Sequence, residues 1–229
     1  MSRPLVILGT GGGVYDLLDI VEAINLEHPS WEPIGFLDDS RPAGSQYLGL
    51  EILGGLRDAA RFAGAAFANA IGSDRTFRRL PGILASTGVA RSRFATLIHP
   101  AASISSRARI GRGVVAGPGV VVGGGVVTGD HVTLCPGCII GHESSIGDHC
   151  IVAPGSTISG LVRIEPACYL GARSVVRQKL RIGTGALIGM GAVVVRDVEP
   201  DATVVGNPAR PLDRFDGAIV GMTKSHSRC

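Results

Sequence analysis

Hydrophobic residues return at every sixth position through the second half of the chain, from Ile104 to Val194, without an insertion or a deletion. All members of this series except Ala116 and Thr128 are Ile, Leu or Val. Four places after each aliphatic residue stands a small or β-branched residue, with Leu180 as the one large exception. A six-residue period suits neither an α-helix nor a β-hairpin meander. It predicts a solenoid of short, stacked parallel strands.

The hexapeptide pattern has a direct physical interpretation. The aliphatic residue points into a three-sided prism and stacks on its equivalent three hexapeptides later, while the small residue packs at a narrow corner. The glycine that often follows the aliphatic residue supplies turn conformations that a Cβ would penalise. Residues 101–199 are therefore predicted to form a parallel β-helix of about five turns.

The first hundred residues follow a different pattern, in which short apolar strands alternate with a helix. The predicted strands are 4–8, 32–37, 47–53 and 65–71, and the predicted helix is 14–27. This alternation predicts a small parallel α/β domain.

The turn after the first strand is a candidate phosphate site, and it reads Gly9-Thr10-Gly11-Gly12-Gly13. Its backbone N–H groups would meet a phosphate at the start of the helix, and Asp38 and Asp39 end the second strand where a ribose or base would be held. Val14 replaces the third glycine of the dinucleotide fingerprint, so the motif is weak. A tight turn without a ligand and a solvated strand end stay open as alternatives.

Composition and charge add little to these predictions. The 34 glycines and the 4% of aromatic residues suit a prism too narrow for aromatic rings, and the formal net charge of +3 includes no basic run. The sequence therefore favours neither a nucleic-acid partner nor membrane insertion. With no apolar stretch of membrane-spanning length and no signal-peptide pattern, we expect a cytoplasmic protein.

Cysteine positions follow the hexapeptide register. Cys138, Cys150 and Cys168 all occupy the small corner position, where Ser, Ala and Val stand in other hexapeptides. The Cys135-x-x-Cys138 pair is thus interpreted as packing rather than as a redox or zinc motif. We predict no metal site.

Several short motifs occur in an order typical of one protein family. They are Phe36-Leu37-Asp38-Asp39, Ala70-Ile71-Gly72, the segment 97–105 with its His-Pro pair, Gly141-His142-Glu143, Ile146-Gly147-Asp148 and Val205-Gly206-Asn207-Pro208-Ala209-Arg210. Together they resemble the sialic acid O-acetyltransferase-like sugar acyltransferases of the hexapeptide-repeat class. The similarity points to the branch that N-acetylates 4-amino sugars on nucleotide carriers, and it covers residues 4–212.

The resemblance implies a fold and an assembly. A Rossmann-like α/β domain, residues 1–96, would bind the nucleotide sugar, and residues 97–212 would form a left-handed parallel β-helix. The family is trimeric, with acetyl-CoA lying in the groove between neighbouring β-helices, so a homotrimer with active sites between subunits is expected. Residues 213–229 are predicted to be a partly disordered tail.

The resemblance also assigns candidate site residues. His142 matches the family's catalytic histidine and Glu143 the carboxylate beside it. Imidazole titrates near neutral pH and can take the proton of an attacking amine. The positions that match the CoA site are Gly160, whose N–H would meet the thioester carbonyl, Ala172, Met190, Asn207 and Arg210.

One departure from the family pattern concerns the first turn. Family members read Gly-x-x-Gly-His-Gly there, whereas this chain carries Gly13 and Val14 in place of the histidine and the last glycine. Backbone contacts to phosphate can persist, but side-chain contacts from position 13 cannot. The departure affects the identity of the sugar more than the acetyl transfer.

The sequence leads to one functional hypothesis and three alternatives. The hypothesis is an acetyl-CoA-dependent N-acetyltransferase that modifies a nucleotide-linked 4-amino-deoxy sugar. The alternatives are O-acetylation of a sugar hydroxyl, a non-catalytic nucleotide-sugar-binding protein and a β-helix carbonic anhydrase. The spacing of His142 and His149 does not suit the three-histidine zinc site of the last class.

Overall fold

The computed structural model describes residues 2–212. The predicted tail, 213–229, lies outside the described residues. The chain forms an α/β part followed by a long stack of two-residue strands. Among the described residues, no helix has both the length and the apolar composition needed to cross a membrane.

A five-stranded sheet forms the core of the first part, with strands β1 (Arg3–Leu8), β2 (Trp31–Leu37), β3 (Gln46–Tyr47), β4 (Leu50–Gly54) and β5 (Ala66–Asn69). The spatial order is β3-β4-β2-β1-β5, and all pairs are parallel except β3 with β4. The expected strand at 47–53 is instead a hairpin, because Leu48 and Gly49 both adopt positive φ and reverse the chain between β3 and β4.

Two helices cover this sheet. Helix α1 (Gly13–Glu27) buries Val14, Leu17, Ile20 and Val21, and α2 (Leu80–Ser86) carries Pro near its start, a favourable helix position. Short 3₁₀ segments lie at Leu56–Phe62, Phe77–Arg79 and Arg91–Arg93. Only α1 was predicted from the sequence.

The second part is a three-sided parallel β-helix, whose faces we name by their strands. The domain face consists of Leu97–Ile98, Val115–Ala116, Thr133–Leu134, Ile151–Val152, Tyr169–Leu170, Leu187–Ile188, Thr203–Val205 and Arg210–Pro211. The apolar face consists of Ser103–Ile104, Val121–Val122, Ile139–Ile140, Thr157–Ile158, Val175–Val176 and Val193–Val194. The charged face consists of Val127–Thr128, Ser145–Ile146, Arg163–Ile164 and Arg181–Ile182.

Strand pairing confirms the hexapeptide register. Thr133 pairs with Ile151 and Ile139 with Thr157, so the turns advance by eighteen residues, 151 minus 133 or 157 minus 139. The last turn is shorter, because Leu187 pairs with Thr203, which is sixteen residues later, 203 minus 187. The second residue of each strand points inward, and Ile140 and Ile158, for example, are almost completely buried. This repeated parallel pairing fits a left-handed β-helix.

The cysteines lie where the corner pattern predicts. Cys138, Cys150 and Cys168 are fully buried within the prism. Burial raises the pKa of Cys135 to about 12 and that of Cys138 to about 11, so neither thiol is poised to form a reactive thiolate. Cys138 is buried at its corner and Cys135 is partly buried against the interior of the prism, which is consistent with the packing interpretation of this pair.

The α/β part packs on the domain face of the β-helix. Helix α1 shares one buried cluster with Leu97 and Val115. On the other side of the sheet, Phe77 lies 5.7 Å from the ring of Tyr169, and Ile151 joins the same cluster. This contact fixes the carboxyl end of β1 close to one corner of the prism.

A histidine pair reinforces the junction between the two parts. His131 and His149 occupy equivalent corner positions on successive turns and stack with ring centroids 5.0 Å apart, while Phe94 meets His131 edge-on at 4.4 Å. The Nδ1 atoms of both histidines are buried without a hydrogen-bond partner. Burial, followed by the neighbouring His149, lowers the pKa of His131 to about 4.

The histidine pair predicts a loss of stability in mild acid. The unfolded chain protonates His131 near pH 6.5, whereas the folded chain resists protonation until about pH 4, so stability is full above pH 6.5 and falls as the pH approaches 4. The loss is on the order of 2 kcal/mol, because part of the ring still meets solvent. Three charged side chains also face His131: Asp130 and Asp148 raise its pKa, and Arg91 lowers it.

Urea unfolding of wild type and His131→Asn between pH 7.5 and 4 measures this contribution. The variant should lose less stability over that range than wild type, since His149 alone retains a lowered pKa. His28→Gln, at the exposed end of α1, serves as the control and should follow the wild-type profile. Parallel profiles for wild type and His131→Asn would contradict the prediction.

Candidate active site

The turn after β1 is built around glycines that play different roles. Gly9 has a φ of 89°, and a Cβ there would collide with the side chain of Ile71. Gly11 and Gly12 have open space around them, and their N–H groups, with that of Gly13, have no protein acceptor within residues 2–212. The turn therefore presents free backbone donors at the start of α1, as expected for an anion site.

The two predicted aspartates are positioned differently. Both oxygens of Asp38 accept hydrogen bonds, from the backbone and hydroxyl of Thr10 at 2.7 and 2.6 Å and from those of Ser40 at 2.7 and 2.5 Å. Burial raises the pKa of Asp38, but the bonds from Ser40 and Thr10 outweigh it and lower the pKa overall. Asp39 accepts from the N–H of Leu56 through Oδ1 alone, so its Oδ2 is the freer acceptor.

A cavity of about 670 Å³ lies in front of this turn. Its volume is in the range of small-molecule sites. Besides the predicted residues it is lined by Arg41 and Arg79, which have no carboxylate partner within residues 2–212. Sequence reasoning missed both arginines, because neither belongs to a recognisable motif.

Arg41 is held in a defined orientation. Its Nε donates to the Oγ1 of Thr10 at 2.9 Å, and its guanidinium lies 3.8 Å from the ring centroid of Tyr47. Thr10 thus connects Arg41 to Asp38, and the three side chains form one hydrogen-bonded chain along the cavity wall.

A smaller cavity of about 80 Å³ adjoins the first and shares Ala70, Ile71 and Gly72 with it. Its other walls include Gly13 and Asp16 of α1 and the β-helix corner that contains Cys135 and Pro136. The α/β part and the β-helix therefore contribute to one continuous groove.

His142 and Glu143 lie on a different corner, between the apolar face and the charged face. Both side chains are about two-thirds exposed, and His142 Nδ1 is 4.0 Å from Glu143 Oε1. The backbone is held by the N–H of Leu161, which donates to the carbonyl of His142 at 2.9 Å, while Glu143 has a φ of 56°. The pair is accessible to a substrate, and a carboxylate stands beside the imidazole.

The expected CoA residues lie in three places, two corners of the prism and its last segment. Gly160 occupies the same corner as His142, one turn later, and its N–H has no protein acceptor within residues 2–212. Ala172 and Met190 occupy the corner between the domain face and the apolar face, and Met190 is 82% exposed. Asn207 and Arg210 lie in the last segment, where Arg210 pairs with Val205 at the end of the prism. One chain alone does not bring these groups together.

Within residues 2–212, no group of three or more His, Cys, Asp or Glu side chains is arranged to hold a metal ion.

Comparisons with known proteins agree with this fold. A family model described as "GMPPB C-terminal domain" matches residues 94–207. The acetyltransferase domain of PglB from Neisseria gonorrhoeae, solved also with acetyl coenzyme A, is 30% identical, with a TM-score of 0.80 over 92% of this chain and 100% of that chain. No curated protein matches the sequence.

Two further solved structures are similar over nearly the whole chain. A variant of perosamine N-acetyltransferase from Caulobacter crescentus, in complex with CoA and GDP-perosamine, is 25% identical with a TM-score of 0.80, over 92% of this chain and 97% of that chain. WeeI from Acinetobacter baumannii is 26% identical with a TM-score of 0.72, over 91% and 99%.

The hydrogen-bonded chain through Thr10 generates a testable prediction. Thr10→Val keeps the side-chain shape but leaves a partly buried Asp38 oxygen and the Arg41 Nε with one partner fewer. The free energy of unfolding should fall by about 1 kcal/mol as a result. Chemical denaturation measures the change. Thr10→Ser retains the hydroxyl and is the control, which should lose clearly less stability. Equal losses in the two variants would contradict the role of the hydroxyl.

Proposed function

We propose that this chain, which belongs to the hexapeptide-repeat nucleotide-sugar N-acetyltransferases, transfers the acetyl group of acetyl-CoA to the amino group of a nucleotide-linked 4-amino-deoxy sugar. The observation that carries the proposal is the combination of an anion-binding cavity in the α/β part with an exposed His-Glu pair on the β-helix. The similar proteins support it, since the PglB domain was solved with acetyl coenzyme A and the Caulobacter enzyme with CoA and GDP-perosamine.

In this proposal His142 is the general base. The sugar amine attacks the thioester carbonyl, a C–N bond forms, the C–S bond breaks, and His142 takes the proton that the amine loses. Nδ1 faces Glu143, so Nε2 is the atom available to the amine, and the carboxylate at 4.0 Å favours the imidazolium that results. A base so placed contributes about 10²–10⁴-fold to the rate.

The developing charge on the thioester oxygen needs a hydrogen-bond donor. The N–H of Gly160 has no protein acceptor within residues 2–212 and lies one turn from His142 on the same corner. We assign it to the thioester carbonyl, where one such donor is worth about 10²–10³-fold.

The α/β part, residues 1–96, is proposed to be a Rossmann-like domain that binds the nucleotide. The free N–H groups of the first turn, with Arg41 and Arg79, supply positive potential for the diphosphate, and Asp39 Oδ2 is available to a ribose or base. A Cβ added to Gly13, at the groove, would have only the carbonyl of Ala70 nearby, at 3.6 Å. The space that a histidine side chain would fill in other members is therefore open to the sugar.

The assembly is proposed to be a homotrimer with shared active sites. His142 and Gly160 line one edge of the apolar face, and Ala172 and Met190 line the opposite edge, so a site containing all four requires two chains. The outward residues Val121, Ile139 and Val175 of that face are exposed by 42%, 44% and 39%. An apolar stripe of this kind favours association.

Both proposed substrates are cytoplasmic metabolites, so we place the reaction in the cytoplasm.

The expected residues Asn207 and Arg210 would lie toward the nucleotide end of CoA, beyond the pantetheine arm.

An assay of CoA release tests the reaction. Acetyl-CoA is supplied with UDP-, GDP- and dTDP-linked 4-amino sugars and with the matching 4-hydroxy sugars. Amine-dependent release should fall by about 10²–10⁴-fold in His142→Ala, because the base is lost, and the product should gain the mass of one acetyl group. His28→Ala, far from the corner, is the control and should retain wild-type rates.

The acceptor panel separates the competing functions. Release with hydroxy sugars alone would identify an O-acetyltransferase. Turnover that is insensitive to His142→Ala would remove the assigned base. No turnover with any acceptor, together with measurable binding of a nucleotide sugar, would favour the non-catalytic alternative.

The shared site predicts that assembly and activity are lost together. Ile139→Asp places a charge in the apolar face and should convert the trimer into monomers with little activity, because each site needs residues from two chains. Val127→Asp, an equivalent outward position on the charged face, is the control. Sedimentation velocity measures the state of assembly, and the CoA-release assay measures the activity. Full activity in a monomeric Ile139→Asp protein would refute the shared site.

A further inference from the structure

The imidazole of His142 lies against the next turn of the β-helix, over Gly160. Residues 124, 142, 160 and 178 are equivalent corner positions, each eighteen residues apart. A Cβ built on Gly160 would lie 2.5 Å from Nε2, 2.8 Å from Cε1 and 2.9 Å from Cδ2 of His142. These separations are too short for non-bonded carbon contacts, so any side chain at position 160 must displace the ring.

The backbone itself does not require glycine at position 160. Its φ is outside the left-handed region that favours glycine, so alanine is compatible with the local conformation. Gly124, the equivalent residue on the other side of His142, has only Ser105 Oγ within 4 Å of a Cβ position, at 3.6 Å. The three atoms that a Cβ at position 160 would meet first therefore all belong to the imidazole of His142.

The side chain of Glu143 lies against the preceding turn of the β-helix, over Gly125. A Cβ on Gly125 would lie 3.1 Å from Cγ of Glu143. The two side chains thus lean towards different neighbouring turns, His142 towards the turn that follows and Glu143 towards the turn that precedes. In this arrangement Nδ1 of the ring lies 4.0 Å from Oε1 of Glu143, and Nε2 lies beside Gly160.

We propose that Gly160 is a positioning residue for the general base: the absence of its side chain forms a seat in which the imidazole of His142 rests with Nε2 at the reacting centre. This inference rests on the proposed function and adds to it, because it gives the missing side chain a role separate from that of the Gly160 N–H. The attacking amine would lose its proton to Nε2 beside the N–H that polarises the thioester. Moving the ring by about 1 Å separates these two groups and can cost about 10²-fold in rate.

Gly160→Ala tests the seat. The variant should lower kcat by about 10²-fold while the KM for the nucleotide sugar and the Kd for CoA, measured by calorimetry, stay within about twofold. Gly124→Ala adds the same methyl group one turn away on the other side and should leave all three quantities unchanged. A large increase in the Kd for CoA with little change in kcat would mean that the methyl blocks the thioester, and it would overturn the proposal.

A double-mutant cycle separates the ring from the N–H. In a His142→Ala background there is no imidazole to displace, so Gly160→Ala should have no further effect on single-turnover acetyl transfer. If the methyl lowers the rate by the same factor in both backgrounds, it acts on the thioester directly and the proposed seat is wrong.

A spectroscopic measurement tests the seat independently of activity. In protein labelled with ¹³C and ¹⁵N histidine, the His142 signals are assigned by their disappearance in His142→Ala. They should shift in Gly160→Ala and not in Gly124→Ala. This result is expected even if the wild-type enzyme shows no acetyl transfer, so a failure of the proposed function leaves the seat testable. Unshifted His142 signals in Gly160→Ala would refute the seat.

Discussion

The eighteen-residue turn of the β-helix is the constraint on which the rest of the structure depends. Because most strands pair with partners eighteen residues away, the side chains in the middle turns have equivalents directly above and below them. The interior can then hold one aliphatic residue per side and one small residue per corner, which explains why cysteine, serine and alanine share the corner positions. A slip of one residue in the pairing of a strand would exchange its inward and outward positions.

The same stacking governs the chemistry. The surroundings of a corner residue depend on the residues at the same corner of the adjacent turns, and the exposed imidazole of His142 lies directly over Gly160, eighteen residues later. Glu143 adopts a left-handed backbone conformation at a position where Gly125 stands one turn earlier. Local backbone strain of this kind, about 1 kcal/mol or more, is tolerated where the surrounding ladder of backbone hydrogen bonds fixes the conformation.

The packing of the α/β part on one face of the prism determines where the proposed nucleotide site lies relative to His142. It buries the domain face, leaves the apolar face uncovered and brings the first glycine turn to the corner opposite His142. The proposed nucleotide site and the proposed base therefore lie on different edges of a chain. This separation is the physical reason for inferring that neighbouring chains complete each other's sites.

The sequence by itself determined the β-helix, its register and the exposed corner that carries His142 and Glu143, because a strict six-residue period places one inward aliphatic residue on each side of the prism. It also indicated most strands of the α/β part and the turn at Gly9–Gly13. Only the tertiary structure decided that Leu48 and Gly49 form a hairpin, that Thr10 and Ser40 occupy the oxygens of Asp38, and that Arg41 and Arg79 line the cavity. These features depend on contacts between residues distant in the chain, which local periodicity does not encode. For the same reason, the role of Gly160 beneath the imidazole emerged only when two successive turns were stacked.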